Sequence, residues 1–97
     1  MDDLARKFDS TRVATKLTAI EALARMRHPR ASQALLRALD DEDAAARRAA
    51  VAAFGRLGTR SAAGAIGALS TADPDERVQR LAAAMCRRHG WPGGAER

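Results

Sequence analysis

Few residues in this chain have chemical reach. Cys86 and His89 lie three apart, on one face of any helix that carries both. That spacing suits two metal ligands, but zinc takes four, or three and a water. His28 is the only other histidine and there is no second cysteine, so no metal site is expected. A Cys–His nucleophile needs a third group to orient its base. The chain has no Asn and the neighbours of His89 are arginines. No serine sits in a G-x-S-x-G turn, and no glycine-rich loop follows a strand. Neither an enzyme nor a cofactor is expected.

The charges are the more informative set. The chain carries 17 Lys and Arg against 12 Asp and Glu, a net +5. Only Lys7 and Lys16 are lysines; the rest are Arg, which suits carboxylates and phosphates. Ala with Arg is also what a GC-rich gene writes, and that is the plain alternative. Asp40, Asp41, Glu42 and Asp43 cluster in one stretch, and Asp73, Asp75 and Glu76 in another. Asp41, Glu42 and Asp75 read as solvated turn charges. Arg25, Arg27 and Arg30, then Arg56 and Arg60, then Arg87 and Arg88 cluster at the alternate bends, before, between and after the acidic ones. Asp43 with Arg47, and Asp73 with Arg77, stand four apart and read as helical ion pairs.

These clusters need elements to place them, and the elements repeat. Ile20, Leu23, Arg25 and Met26 recur 31 residues later as Val51, Phe54, Arg56 and Leu57. Leu36, Leu39, Asp43 and Arg47 recur 30 residues later as Ile66, Leu69, Asp73 and Arg77. A unit of about 31 residues is thus written about two and a half times. Each unit reads as two helices. The first has Val13, Leu17, Ile20, Leu23, Ala24 and Met26 as its apolar stripe, with Ser10 or Thr11 as cap. Pro29 ends it and opens the next helix, which carries Ala31, Ala34, Leu35, Ala38 and Leu39. Unit two runs from Asp43 to Leu57 and stops at Gly58 in the left-handed region. Thr59 or Ser61 then caps a helix over Ala62, Ile66 and Leu69. Asp73 as cap, Pro74 in first position and Glu76 reaching back open the last helix, which holds Val78, Leu81, Ala82 and Met85 and stops at Gly90. Gly64 and Gly67 inside a helix weaken it by about 1 kcal/mol each and imply close approach by a neighbour.

The expected organisation is all-α. Residues 1–90 form one domain, with a short N-terminal cap over 2–9 led by Leu4 and Phe8. Residues 91–97 are a disordered tail. The opening "MDDLARKFDS" has no apolar core of a secretory signal, and no apolar run reaches 18 residues. One cysteine cannot form an intrachain disulfide, which fits a cytoplasmic setting.

"DAAARRAAVAAFGRLGTRSAAGAIGAL" and "DPDERVQRLAAAMCRRHG" resemble HEAT-like repeats, in the short form first described in phycobilisome lyase subunits. "TKLTAIEALARMRHPRASQALLRAL" resembles them too, so the likeness covers about residues 12 to 90. It implies a short right-handed α-solenoid of about two and a half helical hairpins. Three departures stand out: "TRS" replaces Asp-Pro after Gly58, His89 stands where unit two has Leu57, and the last unit has no second helix. That end would leave an apolar flank open beside Leu81, Ala82 and Met85. Either Trp91 folds back over it, or it serves a homodimer or a partner.

Repeats of this kind serve as scaffolds, as lyase subunits and as nucleic-acid binders. The leading expectation is a non-enzymatic protein-interaction module. Its concave face would hold Gln33, Arg37, Ala63 and Gly67, with the Arg bends beside it. Nucleic-acid binding through the Arg edge is the alternative, as is an accessory subunit of a lyase-type enzyme. HEAT-like DNA glycosylases use aromatic and acidic residues in a deep cleft, and here only Trp91 offers itself. Helix dipoles account for Arg25, Arg56 and Arg87 at helix ends. They do not account for Arg30 and Arg60 at helix starts, which a ridge for an anionic partner would.

Overall fold

The computed structural model describes residues 2–26 and 28–92, and for residues 2–11 the helical backbone alone. Five α-helices follow one another among the described residues: α1 (Asp2–Met26), α2 (Pro29–Ala38), α3 (Ala44–Leu57), α4 (Ala63–Ala72) and α5 (Glu76–His89). A 3-10 turn, Arg60–Ala62, precedes α4. The chain is a short helical-hairpin solenoid.

α1 does not start at Ser10 or Thr11. It runs unbroken from Asp2, because no Pro or Gly lies before Met26 and a mid-helix Ser or Thr costs too little to stop it. The expected cap over 2–9 is therefore the backbone of α1 itself; the side chains of Leu4 and Phe8 lie outside the described residues. Pro29 opens α2 as expected. His28 caps it, its Nδ1 accepting the Arg30 N–H at 3.1 Å. Gly58 ends α3 at φ 65° and Gly90 ends α5 at φ 71°, the left-handed stops that only glycine adopts without strain.

Two start signals fall elsewhere than expected. Neither Thr59 nor Ser61 caps α4 with its side chain, because a 3-10 turn fills that stretch. α5 is capped by Asp75, not Asp73: its Oδ1 accepts the N–H groups of Arg77 and Val78 at 2.8 and 3.1 Å. Pro74 therefore lies in the turn before the helix. Asp73 is engaged by another helix, which leaves the cap to the next carboxylate along.

α1, α3 and α5 pack side by side in chain order. α2 lies against α1 and α3, and α4 packs chiefly on α5. α3 is central, with Ala46, Ala50, Val51, Ala53 and Phe54 all fully buried. Its alanines let backbones approach, and Phe54, Leu35, Leu39 and Ile66 fill the space between layers. The tightest approach is at Gly55, where a Cβ would overlap Sδ of Met85. Gly64, expected to mark such an approach, has open space around its Cβ position.

The flank expected to stay open on α5 is closed. Ala82 is fully buried, and Leu81 and Met85 pack against the core. The apolar stripe of α5 faces α3 and α4, so its outward residues are polar: Arg77, Arg80 and Arg87 are exposed. Trp91, expected in a tail or folded back, is folded back and only 7% exposed. Its ring stacks on His89 at 4.5 Å between centroids, and its backbone N–H donates to the Cys86 carbonyl at 2.9 Å. His89 in turn donates from Nε2 to the Gly55 carbonyl at 2.8 Å. The Leu57-to-His89 change thus exchanges an apolar contact for a hydrogen bond to α3. Residues 93–97 lie outside the described residues.

Candidate functional site

The helical pairs bring the acidic and basic clusters to opposite bends. On the acidic side, each bend opens with the same Asx turn. Asp41 Oδ1 accepts the Asp43 N–H at 2.9 Å, and Asp73 Oδ1 accepts the Asp75 N–H at 2.8 Å. Asp41 therefore corresponds to Asp73, and Asp43 to Asp75, a register two residues away from the one read in the sequence.

Cations from the first helix of the preceding pair, α1 or α3, close these bends. Lys16 Nζ lies 2.7 Å from Asp43 Oδ2 and 3.0 Å from Asp41 Oδ1. Arg47 grips Asp73 with two parallel bonds, Nε to Oδ2 at 2.8 Å and a terminal nitrogen to Oδ1 at 3.1 Å. Its other terminal nitrogen donates to the backbone carbonyls of Asp41 and Glu42 at 2.7 and 3.1 Å. Arg47 is 9% exposed and Asp73 3%, so this clamp is buried. The expected four-apart pairs are not formed. Asp43 is taken by Lys16, and Arg47 reaches the following bend. Arg77 stands exposed with no ion pair among the described residues. A cation one turn inside a helix reaches the next unit's bend as easily as its own cap, and there the carboxylate is desolvated and the bond stronger.

Asp41 and Asp75 are thus not solvated turn charges as read, whereas Glu42 is exposed as expected. Hydrogen bonds to Asp43 and Asp41 hold the Lys16 ammonium above its usual range. Burial pushes the Asp41 carboxyl up, but the Asp43 N–H, Lys16 and Arg47 together outweigh it and hold it below its usual range. Lys16 had a signal in the sequence: it stands 31 residues before Arg47, the repeat length.

The basic side has no such closure. Arg25, Arg30, Arg37, Arg56, Arg60, Arg87 and Arg88 are all exposed, and none has an ion-pair partner among the described residues. Arg27 lies outside the described residues. Arg25 and Arg56 come together in one groove of about 310 Å³ with Glu21, Ala24 and Leu57. A second groove of about 480 Å³ shares Arg56 and Leu57 and adds His28, Pro29, Ser32 and Thr59, so the two run into one another. Arg30 and Arg60 directly follow lining residues. The His89–Gly55 hydrogen bond sets the end of α5, with Arg87 and Arg88, beside the end of α3. Gln33 and Arg37 are exposed on α2 but line neither groove. Ala63, expected on a concave binding face, is buried. Glu21 and His28 were not singled out in the sequence. They carried no signal there, because only the fold sets them beside Arg56.

Cys86 is buried and His89 is spent on Gly55. Among the described residues, no group of three or more His, Cys, Asp and Glu gathers as a metal site, and no helix is long and apolar enough to cross a membrane.

A family model described as HEAT repeats matches residues 2–87. No curated protein and no solved structure gives a match.

Proposed function

The chain belongs to the HEAT-repeat family, and from that premise we propose that it is a non-enzymatic protein-interaction module whose Arg-lined edge is its docking surface. HEAT repeats generally mediate protein–protein interaction or scaffolding. The observation that carries the choice of edge is the charge asymmetry. Lys16 and Arg47 engage Asp41, Asp43 and Asp73 of the acidic bends from within, while the arginines at the opposite bends are exposed with no ion-pair partner among the described residues. Complementary charge across an interface raises encounter rates and sets orientation. The arginine edge is the one whose described charges all stand exposed without an ion pair.

The test is affinity capture from host extract with tagged protein, split into nuclease-treated and untreated halves. It is repeated with the Arg25→Glu/Arg56→Glu double variant. A defined set of proteins that survives nuclease and is lost with the double variant supports the proposal. Proteins that survive nuclease and are retained by the double variant keep the interaction module but move its surface elsewhere. Material that vanishes with nuclease replaces the proposal with binding to a phosphate backbone, whose affinity falls steeply with salt.

A further inference from the structure

The groove at the basic edge has a composition more specific than positive charge. Its two arginines come from equivalent positions in successive units, at the last turns of α1 and α3. Neither has an ion pair with an acid among the described residues, although Glu21 lines the same groove. Two cations against one carboxylate leave room for acid from outside. Ala24 and Leu57 give the same groove an apolar part of its lining. Where the groove continues, His28 supplies a donor of known sense. Its Nδ1 already accepts the Arg30 N–H, so in the neutral ring the proton sits on Nε2. Met26, next to Arg25, is 62% exposed, an unusual position for a large apolar side chain.

Resting on the reading of this edge as a docking surface, we infer that the groove takes an acidic peptide segment of a partner protein, with carboxylates on Arg25 and Arg56 and an apolar side chain between them on Leu57. A nucleic acid fits the same groove poorly. Base stacking needs an accessible ring. Among the described residues Phe54 is fully buried and Trp91 is 7% exposed. Among the described residues, Glu21 is the one acid that lines this groove.

The experiment is fluorescence anisotropy at low salt with the purified full chain. The probes are a labelled decapeptide rich in Asp and Glu with one central Leu, the same peptide with Asn and Gln replacing the acids, the same with Ser replacing Leu, and oligodeoxythymidine. The variants are Arg25→Glu, Arg56→Glu, Glu21→Gln and Arg77→Glu. Arg77 is exposed and outside the groove, so its reversal matches the charge change without touching the site. The acidic Leu peptide binds the wild type, and each groove reversal weakens it by about tenfold or more, as loss of a charge-assisted pair does. Arg77→Glu leaves it within about twofold, and the Asn/Gln and Ser peptides bind more weakly. Glu21→Gln tightens binding, a gain that impaired folding cannot produce. Equal weakening by Arg77→Glu overturns the inference in favour of diffuse charge. Tighter binding of the oligonucleotide with the same arginine dependence overturns the choice of partner class. Absence of peptide binding overturns the inference while proteins captured through Arg25 and Arg56 keep the docking edge standing.

Discussion

Replacing Arg47 by Met tests the inter-unit clamp. Met keeps the length and apolar stem of the side chain and removes the guanidinium. Four hydrogen bonds go with it: two to Asp73 and one each to the carbonyls of Asp41 and Glu42. The Asp73 side chain is 1% exposed, so its carboxylate cannot turn to water and keeps only the Asp75 N–H among these donors. Breaking one side of a buried pair costs about 3–5 kcal/mol. A domain of this size holds about 5–15 kcal/mol in all, so the variant sits near the edge of folding. At about 4–8 °C per kcal/mol, the melting temperature falls by roughly 15–30 °C. Circular dichroism through thermal and urea unfolding reads both quantities. A double-mutant cycle with Asp73→Asn returns a coupling above about 1 kcal/mol. The same cycle with Asp43→Asn returns almost none, because Asp43 and Arg47 meet only through a backbone hydrogen bond that both substitutions leave in place. If Arg47 couples to Asp43 as strongly as to Asp73, or if its loss costs less than about 1 kcal/mol, the clamp is wrongly drawn and the four-apart pair stands in its place.

Other outcomes follow from the same packing. Phe54→Ala opens a cavity under both layers and costs about 3–5 kcal/mol in urea unfolding. Gly58→Ala costs about 1–2 kcal/mol for a Cβ in the left-handed region, whereas Gly55→Ala, at a helical position, displaces the flexible Met85 side chain and gains helix propensity of up to about 1 kcal/mol; paired melts show Gly58→Ala as the more destabilising. Asp41 is held below its ordinary value of 3.8, so its contribution is full above that pH and is lost as pH falls through the lower folded value. Lys16 is held above 10.5, so its contribution is full below that pH and is lost as pH rises through the higher folded value. Melting points taken from about pH 5 down to about pH 2 therefore fall less steeply in Lys16→Met than in the wild type.

The repeat was legible because it is written in side chains that must be apolar. Ile20 and Val51, or Leu23 and Phe54, announce the same buried face twice, and Gly58 and Gly90 announce the stops. Polar roles were harder to read. Asp43, Asp73 and Asp75 are all good caps by type, and only the position of Arg47 decides which one is free to cap. The same holds for the basic edge. Arg25 and Arg56 were legible as equivalents, but Glu21 and His28 join them only because α1, α2 and α3 end or begin at one place. Trp91 was ambiguous because a lone aromatic after Gly90 obeys no period; its burial depends on His89, which itself broke the pattern.

The two cations that tie the units are not equals, and this gives the array a direction. Arg47 is buried and joins α3 to the bend before α5 through a planar, two-point grip. Lys16 joins α1 to the bend before α3 through a side chain that is 27% exposed, with a point charge open to salt. In a linear array each unit is held only by its neighbours, so the weaker junction yields first. Opening begins with α1 peeling from α3, while α3, α4 and α5 stay together as one cooperative block. Amide exchange in α1 is accordingly faster than in α5, and added salt widens the gap. The groove between Arg25 and Arg56 lies across that weaker junction, so whatever fills it staples the loose end of the array to its tight one.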